Sequence, residues 1–405
     1  MTAVDKSSDG LEAARNSVSQ AEREVSAAEA ARHECEQDLA SSLCSGKHSN
    51  YISLLPMSGN LPSQASTRVA ASFMLKPSLL AETPTVVNSY LKYHLLSPEG
   101  PRLAHIFIFL DGPSEEFVIE NEFRPHVTIL DGGASASSTA PPSRRPKKLD
   151  SEVRTAAAGG ELIARQMLNA ERALAMAEQM GCEWLICNLD IDEALWTTIC
   201  IGDLLAAAPS NQWQVVFLNH EAVPETSDSC DYFQTCTLFK KNYAALHTEV
   251  EEVKKCLAFW RRRAEAACAD LHADSTSAAP RYFLAYANGK CAVRVAACRS
   301  SGMFPQGSHR WQVPEESQNG AAAHAEKQNN CIVLDPSEAC IFHYVNCEGS
   351  RGFVRKYSQH RCSERWNRLG FHVLCQEAAQ QAQRRGNQAL IELYRATVVL
   401  SDAPE

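Results

Sequence analysis

Several things are missing from this chain, and each absence narrows what it can be. No apolar run approaches the ~20 residues that a membrane-spanning helix needs, the N-terminus lacks the apolar core of a secretory signal, and no Asn-x-Ser/Thr glycan acceptor occurs. The 16 cysteines include no CxxC pair, so the usual spacing of a structural zinc site is absent. They are scattered through apolar segments, as at Cys187 and Cys200, and are expected to be reduced core thiols. Positive charge is also scarce. With 39 Lys and Arg against 48 Asp and Glu the net charge is −9, which argues against a nucleic-acid partner and leaves any anionic ligand to be met by local cations.

What is present is enough chain, 405 residues, for one large α/β domain with appendages. Residues 1–45 read as a polar arm. Its stretch 5–42 has high helix propensity but few large apolar residues, so it predicts a solvated helix capable at most of weak self-association. Residues 46–66 read as a linker. From Thr67 short apolar runs alternate with helical periodicity: RVAASFMLKP, HIFIFLDGP and HVTILDGG as strands, and LLAETPTVVNSYLKYHLL as a helix between the first two. This alternation predicts parallel strands with right-handed crossovers.

The Ser-, Pro- and Gly-rich residues 132–150 read as a flexible insertion. A long helix then runs to a stop at Gly181. Downstream, IGDLLAAAP predicts a short helix, WQVVFLNHEAVP a strand, 245–271 an amphipathic helix, and RYFLAYANGKCAVRV a hairpin turning at Asn288 and Gly289. ACIFHYVNC predicts a late strand and residues 361–405 a C-terminal helical tail.

The chemistry concentrates in WLICNLDIDEALW, residues 184–196, where an apolar run ends in Asp190, Asp192 and Glu193. Apolar residues on both faces describe a strand buried between helices, and such strands end where an open sheet admits ligand. Buried-edge carboxylates need a cationic partner. A hard divalent cation, Mn²⁺ or Mg²⁺, suits them, because it takes oxygen ligands and keeps positions for phosphate oxygens. Asp190 and Asp192 reach one ion only if the strand turns there; the alternative is that they cap a helix containing Ala194–Trp196.

Other candidates are spread along the chain. His343, inside an apolar strand, is a possible third metal ligand or a hydrogen-bonded core histidine, and His309 is a second choice. Lys290 and Arg294 offer a clamp for a departing diphosphate, or an exposed basic turn. Arg165 and Asn169, one helical turn apart, face either a nucleotide or solvent. Asp111 ends a strand where it can accept from a base or ribose, or simply start a turn. A catalytic carboxylate is sought in NHEAVPETSDSCDYF among Glu221, Glu225, Asp228 and Asp231, with Glu221 and Asp231 named as candidates for taking a proton from an acceptor hydroxyl.

Taken together, RVAASFMLKP, HIFIFLDGP, RQMLNAERALAMAEQMGCEWLICNLDIDEALW, VVFLNHEAVP, NGKCAVRV, GSHRW and CIFHYV resemble glycosyltransferases of the GT-A fold, especially the family 2-like and family 92 groups, over residues 67–357. The resemblance implies a GT-A-like, mostly parallel α/β sheet over 67–360. It further implies transfer of a sugar from a nucleotide-sugar donor, UDP-linked, to a glycan or other hydroxyl acceptor with inversion. Asp190 and Asp192 would be the DxD metal and diphosphate site, with His343 as the late ligand. Asp111, Arg165, Asn169, Lys290 and Arg294 would line the donor. As written the chain is expected in the cytoplasm, and in the Golgi if its N-terminus is incomplete. The rival readings are a catalytically silent GT-A-like scaffold and a phosphatase using Asp190 as nucleophile; Glu193, where such enzymes place Thr or Val, disfavours the second.

Overall fold

The computed structural model describes residues 51–52, 67–76, 84–112, 119–133, 145–225, 231–242, 245–246, 249–268, 289–313, 330–344, 373–398 and 400–402. The polar arm and its expected helix lie outside these residues. Within the stretch read as a linker, Tyr51–Ile52 (β1) pairs in parallel at a sheet edge.

The first half agrees with the expected alternation. Val69–Leu75 (β2) leads into the helix Pro84–Leu91 (α1), which continues as a π-helical turn over Lys92–Leu96; His105–Leu110 (β3) and Val127–Asp131 (β4) come after it. Lys147–Ala158 (α2) begins inside the stretch read as a flexible insertion. It is fixed there by the buried Arg145, which pairs with Asp150 at 3.1 Å and Glu171 at 3.0 Å. Leu162–Gln179 (α3) is capped by the Glu161 carboxylate on the Ala164 amide and stops at Gly181, whose φ of 66° is the left-handed turn glycine favours.

Trp184–Leu189 (β5) comes next, then Glu193–Thr197 (β6), Ile201–Ala206 (α4), Gln214–Phe217 (β7), Asn219–Ala222 (β8), Tyr232–Thr235 (α5), Leu238–Lys240 (β9) and Glu251–Cys268 (α6). Thus Ala194–Trp196 is strand, which removes the helix-capping alternative for the carboxylates. WQVVFLNHEAVP supplies two strands rather than one. The last elements are Lys290–Arg294 (β10), Val295–Ser301 (α7), Phe304–Gln306 (β11), Arg310–Gln312 (β12), Cys331–Leu334 (β13), Ala339–His343 (β14), Val373–Arg385 (α8), Asn387–Thr397 (α9) and Leu400–Asp402 (β15).

The main sheet runs β1-β13-β7-β10-β5-β2-β3-β4, parallel except for β10, which is antiparallel to both β5 and β7. The hairpin partner expected from residues 281–287 lies outside the described residues; β10 itself is flanked by β5 and β7. A second sheet runs β15-β9-β8-β14-β6. The C-terminal segment, helical over α8 and α9 within the stretch read as a helical tail, is joined to this sheet through β15. Ala378, Leu390 and Tyr394 share a core with Val223, Leu238 and Val253.

Strands buried on both faces have their apolar residues divided between two cores. In β3, Ile106 and Ile108 pack with α1 on one face while Phe107 and Phe109 pack with α3 on the other. In β5, Trp184 and Ile186 join the first face, and Leu185 and Cys187 the second. Beyond Cys187 the parity inverts and Leu189 joins the first face. The cause is Asn188, at φ 53°, inserted where the pairing with β2 slips between Ala71 and Phe73; Ser72 Oγ accepts its amide at 3.2 Å. Such a bulge bends a strand and re-aims the residues beyond it.

Candidate functional site

β2, β3 and β4 step outward on one side while β5 lies on the other side of β2, so the strand order reverses between β2 and β5. In open α/β sheets a ligand crevice forms beyond the carboxyl ends of the strands at such a reversal. Asp190 is the first residue past β5 at that edge.

Residues 190–193 form a turn closed from both ends. The Glu193 amide donates to the Asp190 carbonyl at 3.0 Å, and the Asp190 amide donates to Glu193 Oε2 at 2.9 Å. Neighbouring elements hold the rest of its backbone: Tyr232 OH donates to the Ile191 carbonyl at 2.6 Å and the Tyr344 amide to the Asp192 carbonyl at 2.6 Å. Buried His94 takes the Leu195 amide on Nε2 at 3.1 Å while its Nδ1 donates to the Tyr90 carbonyl at 2.8 Å. That pattern needs a neutral ring, and burial lowers the His94 pKa to about 4. With Ile191 packed inward, the carboxylates of Asp190 and Asp192 remain 38% and 24% exposed.

Two basic side chains converge on this turn. Lys290, fully buried at the start of β10, places Nζ 2.8 Å from Asp190 Oδ2 and 3.1 Å from Glu193 Oε2. Burial alone would lower the lysine pKa, but the two carboxylates more than offset it and hold the ammonium above its usual range. Gly289 permits this approach: at φ 60°, an added Cβ would lie 1.8 Å from the Phe217 carbonyl oxygen. His343, ending β14, sets Nε2 3.7 Å from Asp192 Oδ2. Burial opposes its charge, yet the bond to Asp192 and the charges of Asp192, Glu193 and Glu221 raise its pKa overall. Glu193 is pushed up to about 7, chiefly by burial and further by Asp190 and Asp192, with Lys290 pulling the other way.

The chain is similar to plant proteins named glycosyltransferase-like. Over 189 residues, 46% of this chain, it is 30% identical to Glycosyltransferase-like At2g41451 and 32% identical to Glycosyltransferase-like At3g57200, both of Arabidopsis thaliana. It spans about a third of their length, 34% and 30%. No family model matches the chain. A solved galactosyltransferase, LgtC in complex with donor and acceptor sugar analogs, aligns over 76% of this chain and 95% of its own at 9% identity; its TM-score of 0.28 is too low to carry weight.

The residues expected at the site fall into three groups. Asp190, Asp192, Lys290 and His343 come together, joined by Glu193, the third acid of the same run. Asp111 and Arg165 form an ion pair beyond β3 at the same edge of the sheet, and Asn169, also on α3, is buried and donates to the Gly132 carbonyl at 3.3 Å, so it secures the end of β4.

The third group lies elsewhere. Arg294 sits at the other end of β10, opposite Trp184, the first residue of β5. There it donates to the carbonyls of Gln212, Ala208 and Pro209 and stacks 4.4 Å from the Trp184 ring, so it does not reach the diphosphate position expected of it. Glu221 is buried and ion-paired with Lys240. Asp231 is buried as the cap of α5 and accepts from Ser89 and Gln234. Neither carboxylate is offered to an acceptor hydroxyl. Glu225 accepts the amide of Leu238, Asp228 lies outside the described residues, and His309 donates to the Gly289 carbonyl at 2.7 Å, steadying the turn before Lys290.

The expected metal trio divides into two pairs, Asp190 with Lys290 and Asp192 with His343. Among the described residues no three His, Cys, Asp or Glu stand together as a ligand cage. Mg²⁺-type ions do not need one; they are held through one or two carboxylates with substrate phosphates completing the shell. The partly exposed Asp192 with His343 beside it fits such an open site, whereas one oxygen of Asp190 is already bound to ammonium.

The nine cysteines with described side chains are all free thiols, seven of them buried, as expected of a reduced core. Among the described residues no helix is long and apolar enough to cross a membrane.

Proposed function

We propose that this chain carries a GT-A-like nucleotide-sugar cleft and supports transfer of a sugar from a nucleotide-linked donor to a hydroxyl acceptor. One observation carries the reading: a turn bearing Asp190, Asp192 and Glu193 stands at the strand-order reversal, where nucleotides bind in open α/β sheets, with Lys290 and His343 drawn to it. The names of the plant relatives agree with it.

In this reading Lys290 fixes Asp190 so that its remaining oxygen faces a ribose or donor hydroxyl. The Asp111–Arg165 pair lines the base side of the crevice. Three carboxylates against one ammonium and one imidazole leave the turn unfavourable to a bare diphosphate. Asp192 and His343 would therefore hold Mn²⁺ or Mg²⁺, which when bound supplies positive charge to the leaving diphosphate. In this reading Glu221 and Asp231, bonded to Lys240 and Ser89, keep structural parts.

Thermal melting with a panel of UDP-sugars, with and without Mn²⁺, tests the reading. A donor that stabilises the chain only with metal present, and has no effect on Asp192→Ala, supports it through binding linkage. Equal shifts in the variant would overturn it.

A further inference from the structure

The second sheet aligns ionisable residues in a way that the cleft alone does not require. In its pairing, Glu193 of β6 stands opposite His343 of β14, His343 opposite Glu221 of β8, and Glu221 opposite Lys240 of β9. Residues in register on adjacent strands project to the same face, about 4.5–5.5 Å apart at Cβ. Lys290 joins the acidic end of this line from the main sheet, 3.1 Å from Glu193, and Lys240 ends it with its ammonium 4.9 Å from the centre of the Tyr394 ring of α9. The line reads Lys290, Glu193, His343, Glu221, Lys240: cation, anion, imidazole, anion, cation. All five are at least nine-tenths buried.

Alternation of sign answers the cost of burying so many charges, since each has an opposite neighbour. It also fixes an orientation. His343 lies between two carboxylates on its own sheet and a third, Asp192, at the cleft, and the charges of all three act on its ring. We propose that Glu221, backed by Lys240, is a positioning residue for His343. From the strand behind, in register with His343, its charge favours the ring orientation that turns Nε2 toward Asp192. The proposal rests on the cleft reading only for the purpose that orientation serves; the arrangement itself can be tested without a donor.

The test uses the full chain labelled with ¹⁵N at histidine. Glu221→Gln is expected to move the His343 ring resonances while those of His94 and His105 stay in place, and to weaken binding of Mn²⁺ alone by about 10-fold or more. Glu221→Asp, which keeps the charge, is expected to recover most of both effects. If Glu221→Gln fails to fold, the charge-balanced pair Glu221→Gln with Lys240→Met takes its place and is expected to move the same resonances. His343 signals unchanged in a folded variant would overturn the proposal. If the native chain binds no Mn²⁺ but the His343 signals move, the metal part of the functional reading fails and the positioning role stands.

Discussion

Lys290 and Arg294 are both cations on one five-residue strand, and they live in opposite worlds. Lys290 opens β10 at the carboxyl edge of its parallel neighbours and faces the carboxyl groups of Asp190 and Glu193. Arg294 closes the same strand at the far edge, where its partners are neutral carbonyls and an indole. The antiparallel direction of β10 produces the contrast: among parallel strands it alone brings its first residue, not its last, to the cleft. A cation facing carbonyls holds a wall together, whereas one facing carboxylates decides how much negative charge the cleft displays.

This contrast breaks most sharply at Lys290. Lys290→Met would leave Asp190 and Glu193 without their shared partner, and removal of one member of a buried pair typically costs about 3–5 kcal/mol. Urea denaturation should show a loss of that order, together with loss of any donor-induced thermal shift. Arg294→Met should cost less, about 2 kcal/mol for its charged hydrogen bonds and ring stacking. It should leave donor and Mn²⁺ binding unchanged in the same melting panel. Reduced donor binding in Arg294→Met would dissolve the distinction between the two ends.

Titration sharpens it further. Burial holds neutral His94 and His220 at about 4, below the ordinary histidine value of 6.5, so the unfolded chain binds more protons and stability falls as pH drops from 6.5 toward 4. Each contributes up to about 1.4 kcal/mol per pH unit in that window. His105, also lowered to about 4, acts in the same direction. Glu193 has the opposite sign: raised to about 7 from 4.5, it binds its proton more tightly when folded, so its contribution declines as pH rises from 4.5 to 7. The histidines outnumber it, and stability should climb with pH up to 6.5. In Glu193→Gln the climb should steepen by about one proton, read from urea midpoints across the window. An unchanged slope would show that folding does not raise the proton affinity of Glu193.

Much of the main sheet was legible from local pattern alone. The apolar runs at β2, β3 and β5, the 3.6-residue spacing of α3 and the acids after Leu189 each carry their signal within about a dozen residues. The assembly of the second sheet was not, because β8, β9, β14 and β15 are three to five residues long and, although single strands such as β14 could be read, most of their pairings join positions more than a hundred residues apart. Glu221 was therefore read as a candidate base and not as one step in a buried row. Lys290 and Arg294 were grouped as a clamp because both are basic and only four positions apart. A strand rising ~3.3 Å per residue separates them by about 13 Å instead. His94 and Tyr232, which hold the acidic turn by its backbone, gave no motif at all.

The inverted parity at Asn188 reaches beyond this one molecule. A single additional residue in β5 determines whether the acids that come after it meet the crevice or the α3 side, so its backbone angle acts as the hinge pin of the whole arrangement. Only glycine, asparagine and aspartate adopt that angle readily. Saturation of codon 188 should therefore leave a narrow set of survivors, and any relative bearing a branched side chain there must have built its acidic turn by a different path.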